Sequence, residues 1–241
     1  MKPGTLYGIG IGPGEPDLIT VKGAKILGRA RHVFVPWAKN GSESTALAIA
    51  RPHINPDAEI HSLIFPLTSD PRELRERWSV AAAGLAQVLE KGEDACFITL
   101  GDTLLYSTYI YMLRALRETL PNVSVVTVPG ISAFSAAAAL TEFPLGKAKE
   151  PVSIVPVSDD LEVVRRAVSK PGSVVLMKVG KRLQRVIDLL EEEGRLNDAV
   201  FVSRAGMASQ RIETDLRRLR GTEVETGHLS IILVQASLEA V

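Results

Sequence analysis

The chain has 241 residues, 46% of them hydrophobic, and its 28 Lys plus Arg are balanced by 28 Asp plus Glu. That length supports one large domain or two of about 120 residues each, and the even charge excludes a global field that would hold nucleic acid or an anionic membrane. The single cysteine, Cys96 in DACFITL, excludes an intramolecular disulfide and fits a reducing compartment as a small buried side chain.

The opening MKPGTLYGIG has no sustained apolar run, so neither a signal peptide nor a membrane-spanning helix is expected and the chain is expected to be cytoplasmic. Leu6 to Ile11 reads as a buried strand, followed by a Gly/Pro loop and a helix from Asp17 to Leu27. HVFVP is the second strand, a helix falls at about 44 to 51, and EIHSLIFPL is a third extended segment. Asp70 to Lys91 has helical periodicity, with Pro71 and Glu73 suited to a first turn and Gly92 to a stop. ACFITLGD is a continuous apolar strand of the parallel, doubly covered kind, and a helix follows near 107 to 119.

A Pro/Asn turn at Leu120 to Asn122 marks an expected boundary, which gives domains of 1–119 and 120–241. Beyond it VSVVTVPGIS restarts with a strand, a turn and the helix AFSAAAAL. There follow VSIVPV, a helix over 159–169, SVVLMKV, a helix over 181–193, AVFVSRA, and a last strand pair around RIETDL and LSIILVQAS. Strand and helix alternate throughout, so the expected fold class is α/β, two α/β domains with a cleft between them.

The glycines of GIGIGPGEPDLIT keep part of a dinucleotide fingerprint, Gly8, Gly10 and Gly12. Such a fingerprint needs bare amides at a helix start and an acid at the end of the next strand. Here Pro13 and Pro16 remove two donors, and HVFVP ends in Pro36 and Trp37. A redox dinucleotide site, a plain tight turn and a shaped loop at a cleft mouth remain open, with the last preferred. His32, His53, His61 and His228 are scattered without metal-ligand spacing, so no metal site is expected.

GIGPGEPDLITVKGAKIL, LGDTLLYSTY and VPGISAFSAAAA, in this order and separation, resemble the tetrapyrrole (corrin and porphyrin) methylase family, as do VVLMKVG and VFVSRAGMASQRI further on. The likeness spans nearly the whole chain. It implies a class III methyltransferase-like fold, S-adenosylmethionine as methyl donor, a tetrapyrrole substrate and a homodimer. GDTLLYSTYIYML and VPWAKNGSEST are most similar to the branch of the family acting at C20 of precorrin-2, or of its cobalt-loaded counterpart cobalt-factor II, on the route to cobalamin. Thr103 stands where the family commonly has proline.

The resemblance places the donor against Leu100, Gly101, Asp102, Leu105, Ser132 and Ala133, with Met177, Ala205, Leu229 and Ser230 around its adenine. The polycarboxylate ring implied by the resemblance calls for cations against apolar walls; Lys22, Lys39, Lys178, Arg204 and Arg211 stand at or near loop ends where they could serve, and Gly12, Pro13 and Gly14 are further candidate substrate contacts. Asp102 and Tyr106 are the candidate catalytic bases, with Asp17 more remote. Read from residue type alone, Asp102 and Ser132 suit helix caps and Met177 suits a core. The aromatic run YSTYIYML is a candidate for part of a dimer contact or, alternatively, a core helix. The other functions weighed are another tetrapyrrole methylase (C11, C17 or uroporphyrinogen-III), a same-fold diphthine or ribosomal RNA methylase, an NAD-dependent oxidoreductase and a noncatalytic binding module. No nucleic-acid or membrane partner is expected.

Overall fold

A computed structural model of the protein describes residues 2–38, 44–65, 70–222 and 229–235. The chain divides into two compact units, Met1–Ser132 and Ala133–Val241.

In the first unit β1 (Thr5–Gly10), β2 (His32–Ala38), β3 (Glu59–Phe65), β4 (Ala95–Thr99) and β5 (Ser124–Val128) form a sheet in the order β3-β2-β4-β1-β5. Every pairing is parallel. Its helices are α1 (Val21–Leu27), α2 (Thr45–Ala50), α3 (Pro71–Glu90) and α4 (Tyr109–Thr119). All five residues of β4 are buried, which is what a central parallel strand covered on both faces requires. On one face α3 and α4 pack over Leu6, Phe34 and Phe97, and α4 contributes Tyr109, Met112 and Leu116 at helical spacing. Ile9 has the opposite parity to Leu6 and meets α1 on the other face, at Gly23.

Two sequence expectations are corrected here. VSVVTV opens no second half: as β5 it pairs with β1 from Thr5↔Ser124 to Ile9↔Val128, which carries the first unit through Ser132. The expected helix from Asp17 also breaks, because Pro16–Leu18 is a single 3-10 turn, Ile19 and Thr20 are extended, and the Thr20 hydroxyl accepts the Gly23 amide at 3.1 Å to cap α1.

In the second unit β6 (Val152–Pro156), β7 (Ser173–Met177), β8 (Ala199–Ser203), β9 (Arg211–Glu213) and β10 (Ser230–Val234) are ordered β6-β7-β10-β8-β9. Only β6 and β7 are parallel, and β10 runs antiparallel to both its neighbours. The last two strands therefore do not pair with each other as expected, since β10 inserts between β7 and β8. α5 (Ala133–Leu140), α6 (Glu162–Val168) and α7 (Leu183–Glu192) complete the unit, whose core joins Val164, Val168, Val186, Ile187, Leu190, Phe201 and Ile232. Buried Arg195 binds this unit together: it donates to the Val168 carbonyl at 2.6 Å, to Asp198 at 3.2 Å and to the Gln235 carbonyl. Among the described residues no helix is long and apolar enough to cross a membrane.

Candidate active site

In an open parallel sheet, ligands gather beyond the strand C-termini where successive connections diverge. In the first unit that point lies between β4 and β1, and the two glycine-bearing loops meet there. Gly12 and Gly101 form an isolated antiparallel bridge, with the Gly101 amide donating to the Gly12 carbonyl at 2.8 Å and the Gly12 amide to the Gly101 carbonyl at 3.3 Å. Gly12 sits at φ 82° and Gly101 at φ 70°, a region open to glycine.

Gly8, Gly10 and Gly130 serve packing. A Cβ on Gly8 would lie 2.1 Å from the Tyr109 ring, whose hydroxyl meets the Thr127 hydroxyl at 2.9 Å. A Cβ on Gly10 would lie 2.6 Å from the Gly130 nitrogen, and one on Gly130 would lie 2.1 Å from the Gly101 carbonyl. Three strand-end backbones are thus stacked in direct contact. At Gly101, by contrast, a Cβ would meet nothing nearer than the Ile131 carbonyl at 3.9 Å.

Asp102 holds this arrangement. One carboxylate oxygen accepts the Leu104 amide at 2.8 Å and the other accepts the Gly130 amide at 3.1 Å, which ties the β4 loop to the β5 loop. It does not cap α4, where Ser107 accepts the Tyr109 amide at 3.0 Å instead. The base role expected of Asp102 therefore competes with two backbone donors. Thr103 is buried, with its hydroxyl 3.5 Å from the Val128 carbonyl, so it adds a long contact to the same β5 end. Leu100 and Leu105 are half-buried, Tyr106 is exposed at φ 51°, and half-buried Ser132 closes the first unit immediately before Ala133 opens α5. Gly12, Pro13 and Gly14, expected among the substrate contacts, are buried at this edge.

In the second unit, one edge of the sheet collects nearly all the residues assigned to it. Met177 pairs with Ile231, Ser230 with Ser203, and Arg211 with Ser203. The strands β7 and β8 end in Lys178 and Arg204, both at positive φ, and the Arg204 amide donates to the Leu229 carbonyl at 2.8 Å. Burial holds the Lys178 ammonium below the usual lysine range. Ala205 is buried, and the Arg204 guanidinium reaches Ser209 at 3.1 Å. The Ser230 hydroxyl is fully buried and accepts the Gly180 amide at 2.7 Å, so its side chain is engaged within the fold.

One expected substrate residue lies elsewhere, and another cannot be placed. Lys22, on α1, lines a separate groove with Tyr7, Lys25, Arg29 and Val126, and Lys39 lies outside the described residues. The sequence reading missed Gly130 although it used the VPGIS motif; the signal was a glycine between a strand and a helix, where a backbone must come close. It also read the histidines as scattered, whereas His32, His61 and Glu59 converge at the opposite edge of the first sheet as a group able to hold a metal ion. His53 is used differently, its ring nitrogen meeting the Pro16 carbonyl at 3.0 Å.

Two parallel-switch loops bridged through glycine backbone, followed by a mixed second sheet, define a class that the comparisons name. Residues 5–220 match the model of the Tetrapyrrole (Corrin/Porphyrin) Methylases, and the chain belongs to that family. It is 35% identical to the cobalt-precorrin-2 C(20)-methyltransferase of Salmonella typhimurium, over 86% of each chain. It is 28% identical to the precorrin-2 C(20)-methyltransferase of a Sinorhizobium species, over 96% of this chain and 95% of the other. Among solved structures, a cobalt precorrin-4 methyltransferase superposes with a TM-score of 0.69 at 23% identity, covering 96% of this chain and 94% of the other. The uroporphyrin-III C-methyltransferase of Thermus thermophilus, complexed with S-adenosylhomocysteine, superposes with a TM-score of 0.65 at 18% identity, covering 96% and 92%.

Proposed function

We propose that this methylase transfers a methyl group from S-adenosylmethionine to C20 of precorrin-2 or of its cobalt-loaded form in cobalamin biosynthesis, as a cytoplasmic homodimer. The observation that carries the reading is the similarity along most of the chain to two C20-methyltransferases. The residues at the first-unit edge suit the donor chemically. A Cβ on Gly101 would meet nothing nearer than the Ile131 carbonyl at 3.9 Å, and Leu100 and Leu105 in the same loop are half-buried apolar residues. Cys96 lies within β4, and burial pushes its thiol up to about 12, which keeps it out of the thiolate form.

When bound, the donor supplies an electrophilic sulfonium methyl group. The protein's share is alignment, which can supply roughly 7–11 kcal/mol of the barrier. Asp102 fixes the two loops that present Gly101, and Asp102 and exposed Tyr106 are the two proposed candidates to accept a proton. In the second unit Met177, Ala205, Leu229 and the backbone of Ser230 are the proposed adenine contacts, and Lys178, Arg204 and Arg211 the proposed partners of ring carboxylates.

The same geometry disfavours the dinucleotide reading. Gly8 and Gly10 are consumed by packing, and the start of α1 is capped by Thr20. Titration calorimetry should therefore detect S-adenosylhomocysteine and not NADH, and turnover with precorrin-2 and with cobalt-factor II should release a C20-methylated ring from at least one. Binding of NADH alone, or methylation at another ring carbon, would overturn the reading.

A further inference from the structure

At the N-terminal edge of the first sheet, away from the Gly12–Gly101 loops, the parallel register sets His32 beside Glu59 and Phe34 beside His61. His32 Nδ1 lies 3.1 Å from His61 Nε2 and 3.4 Å from a Glu59 oxygen, and the other Glu59 oxygen lies 3.8 Å from His61 Nε2. Ligands bonded at about 2.1 Å in a tetrahedral array stand about 3.4 Å apart, and one donor atom from each of the three residues lies within 4.8 Å of the other two.

A second, independent feature sets the chemistry. His32 Nε2 lies 2.7 Å from the Glu93 carboxylate, so with Nε2–H donating to Glu93 the lone pair of Nδ1 points toward His61 and Glu59. A carboxylate behind a histidine is the arrangement that orients metal-binding imidazoles and raises their basicity. His61 is held flat against Phe34, with ring centres 4.3 Å apart and planes 12° from parallel.

We propose that His32 Nδ1, His61 Nε2 and the Glu59 carboxylate form a site for a divalent cation of the Zn2+ or Co2+ kind, with Glu93 orienting His32 and a fourth position open to solvent. Imidazole with one carboxylate suits these ions. On binding, the proton that His61 Nε2 would share with His32 moves to His61 Nδ1, so the neutral pair takes up the ion without a redox step. The site would fasten the starts of β2, β3 and β4 together.

The test uses metal-free full-length protein titrated with Co2+ and, separately, Zn2+, with no tetrapyrrole present. Expected are one equivalent bound, the intense visible absorption of four-coordinate Co2+, and a higher Tm with either metal. His61→Gln and His32→Gln should abolish the absorption, and Glu93→Gln should weaken binding by roughly 10-fold. If the histidine variants fail to fold, Glu59→Gln and Glu93→Gln, at more exposed carboxylates, carry the test. Absence of the Co2+ absorption in the wild type, or affinity unchanged in Glu59→Gln and Glu93→Gln, would overturn the proposal and leave a plain hydrogen bond between the two rings.

Discussion

Asp102 looks in sequence like an acid at a strand end, and in the fold its two oxygens each accept a backbone amide, from Leu104 and from Gly130. Asp102→Ala should therefore lower stability in urea by about 1–3 kcal/mol and raise the Kd for S-adenosylhomocysteine, while leaving the pH profile of turnover unmoved; a profile that lost its acidic limb would make Asp102 the base. The glycines give a graded series. Gly130→Ala drives a Cβ to within 2.1 Å of a carbonyl and should destabilise by about 3 kcal/mol or more, whereas Gly101→Ala meets only an ordinary contact at 3.9 Å and the left-handed backbone penalty of about 1–2 kcal/mol. Equal losses in the two would contradict the packing described. Cys96 supplies a pH test. Its thiol is raised by burial to about 12 from roughly 8.5 in the unfolded chain, so the folded state binds the extra proton across that interval and stability should fall as pH rises through it. Cys96→Ala should flatten the slope of urea midpoint against pH in that window.

Elements were legible wherever periodicity was strong. The run ACFIT in β4 and the 109, 112, 116 spacing in α4 carry their burial in their residue types. What sequence could not show was decided by pairing: β5 joins β1 rather than opening a new sheet, and β10 slips between β7 and β8 rather than against β9. Those choices depend on partners distant in the chain, which a local pattern does not encode. The convergence of His32 with Glu59 and His61 was hidden for the same reason, since register rather than spacing brings them together. Arg195 is a comparable long-range device, because it links the end of α6 to the exit of β10. Arg195→Met should destabilise the second unit by about 2–4 kcal/mol by leaving buried carbonyls unpaired, read as an earlier urea transition of that unit.

For the whole molecule, the two α/β units were foreseen while the place of their division was not, and the candidate site followed suit. Residues that the family motifs single out gathered at one edge in each unit, Gly12, Gly101 and Asp102 in the first and Met177, Lys178, Arg204 and Ser230 in the second. Lys22, chosen as a cation near a loop end, did not join them, because helical phase turned it toward a different groove. The run YSTYIYML divides between both readings weighed for it: Tyr109 and Met112 are core, while Ile110 and Tyr111 stay exposed and Tyr111 stacks on Trp78 at 5.7 Å. If that exposed side belongs to the proposed homodimer contact, Tyr111→Lys should shift the sedimentation coefficient to that of a monomer without unfolding the chain.

The strand order also dictates a timetable during translation. The first sheet has all five of its strands once Val128 has been made, whereas the second lacks its central member until Ser230–Val234 emerges. A nascent chain halted just short of Ser230 would thus carry a finished first lobe beside two open strand edges, a species suited to chaperone capture and vulnerable to clumping.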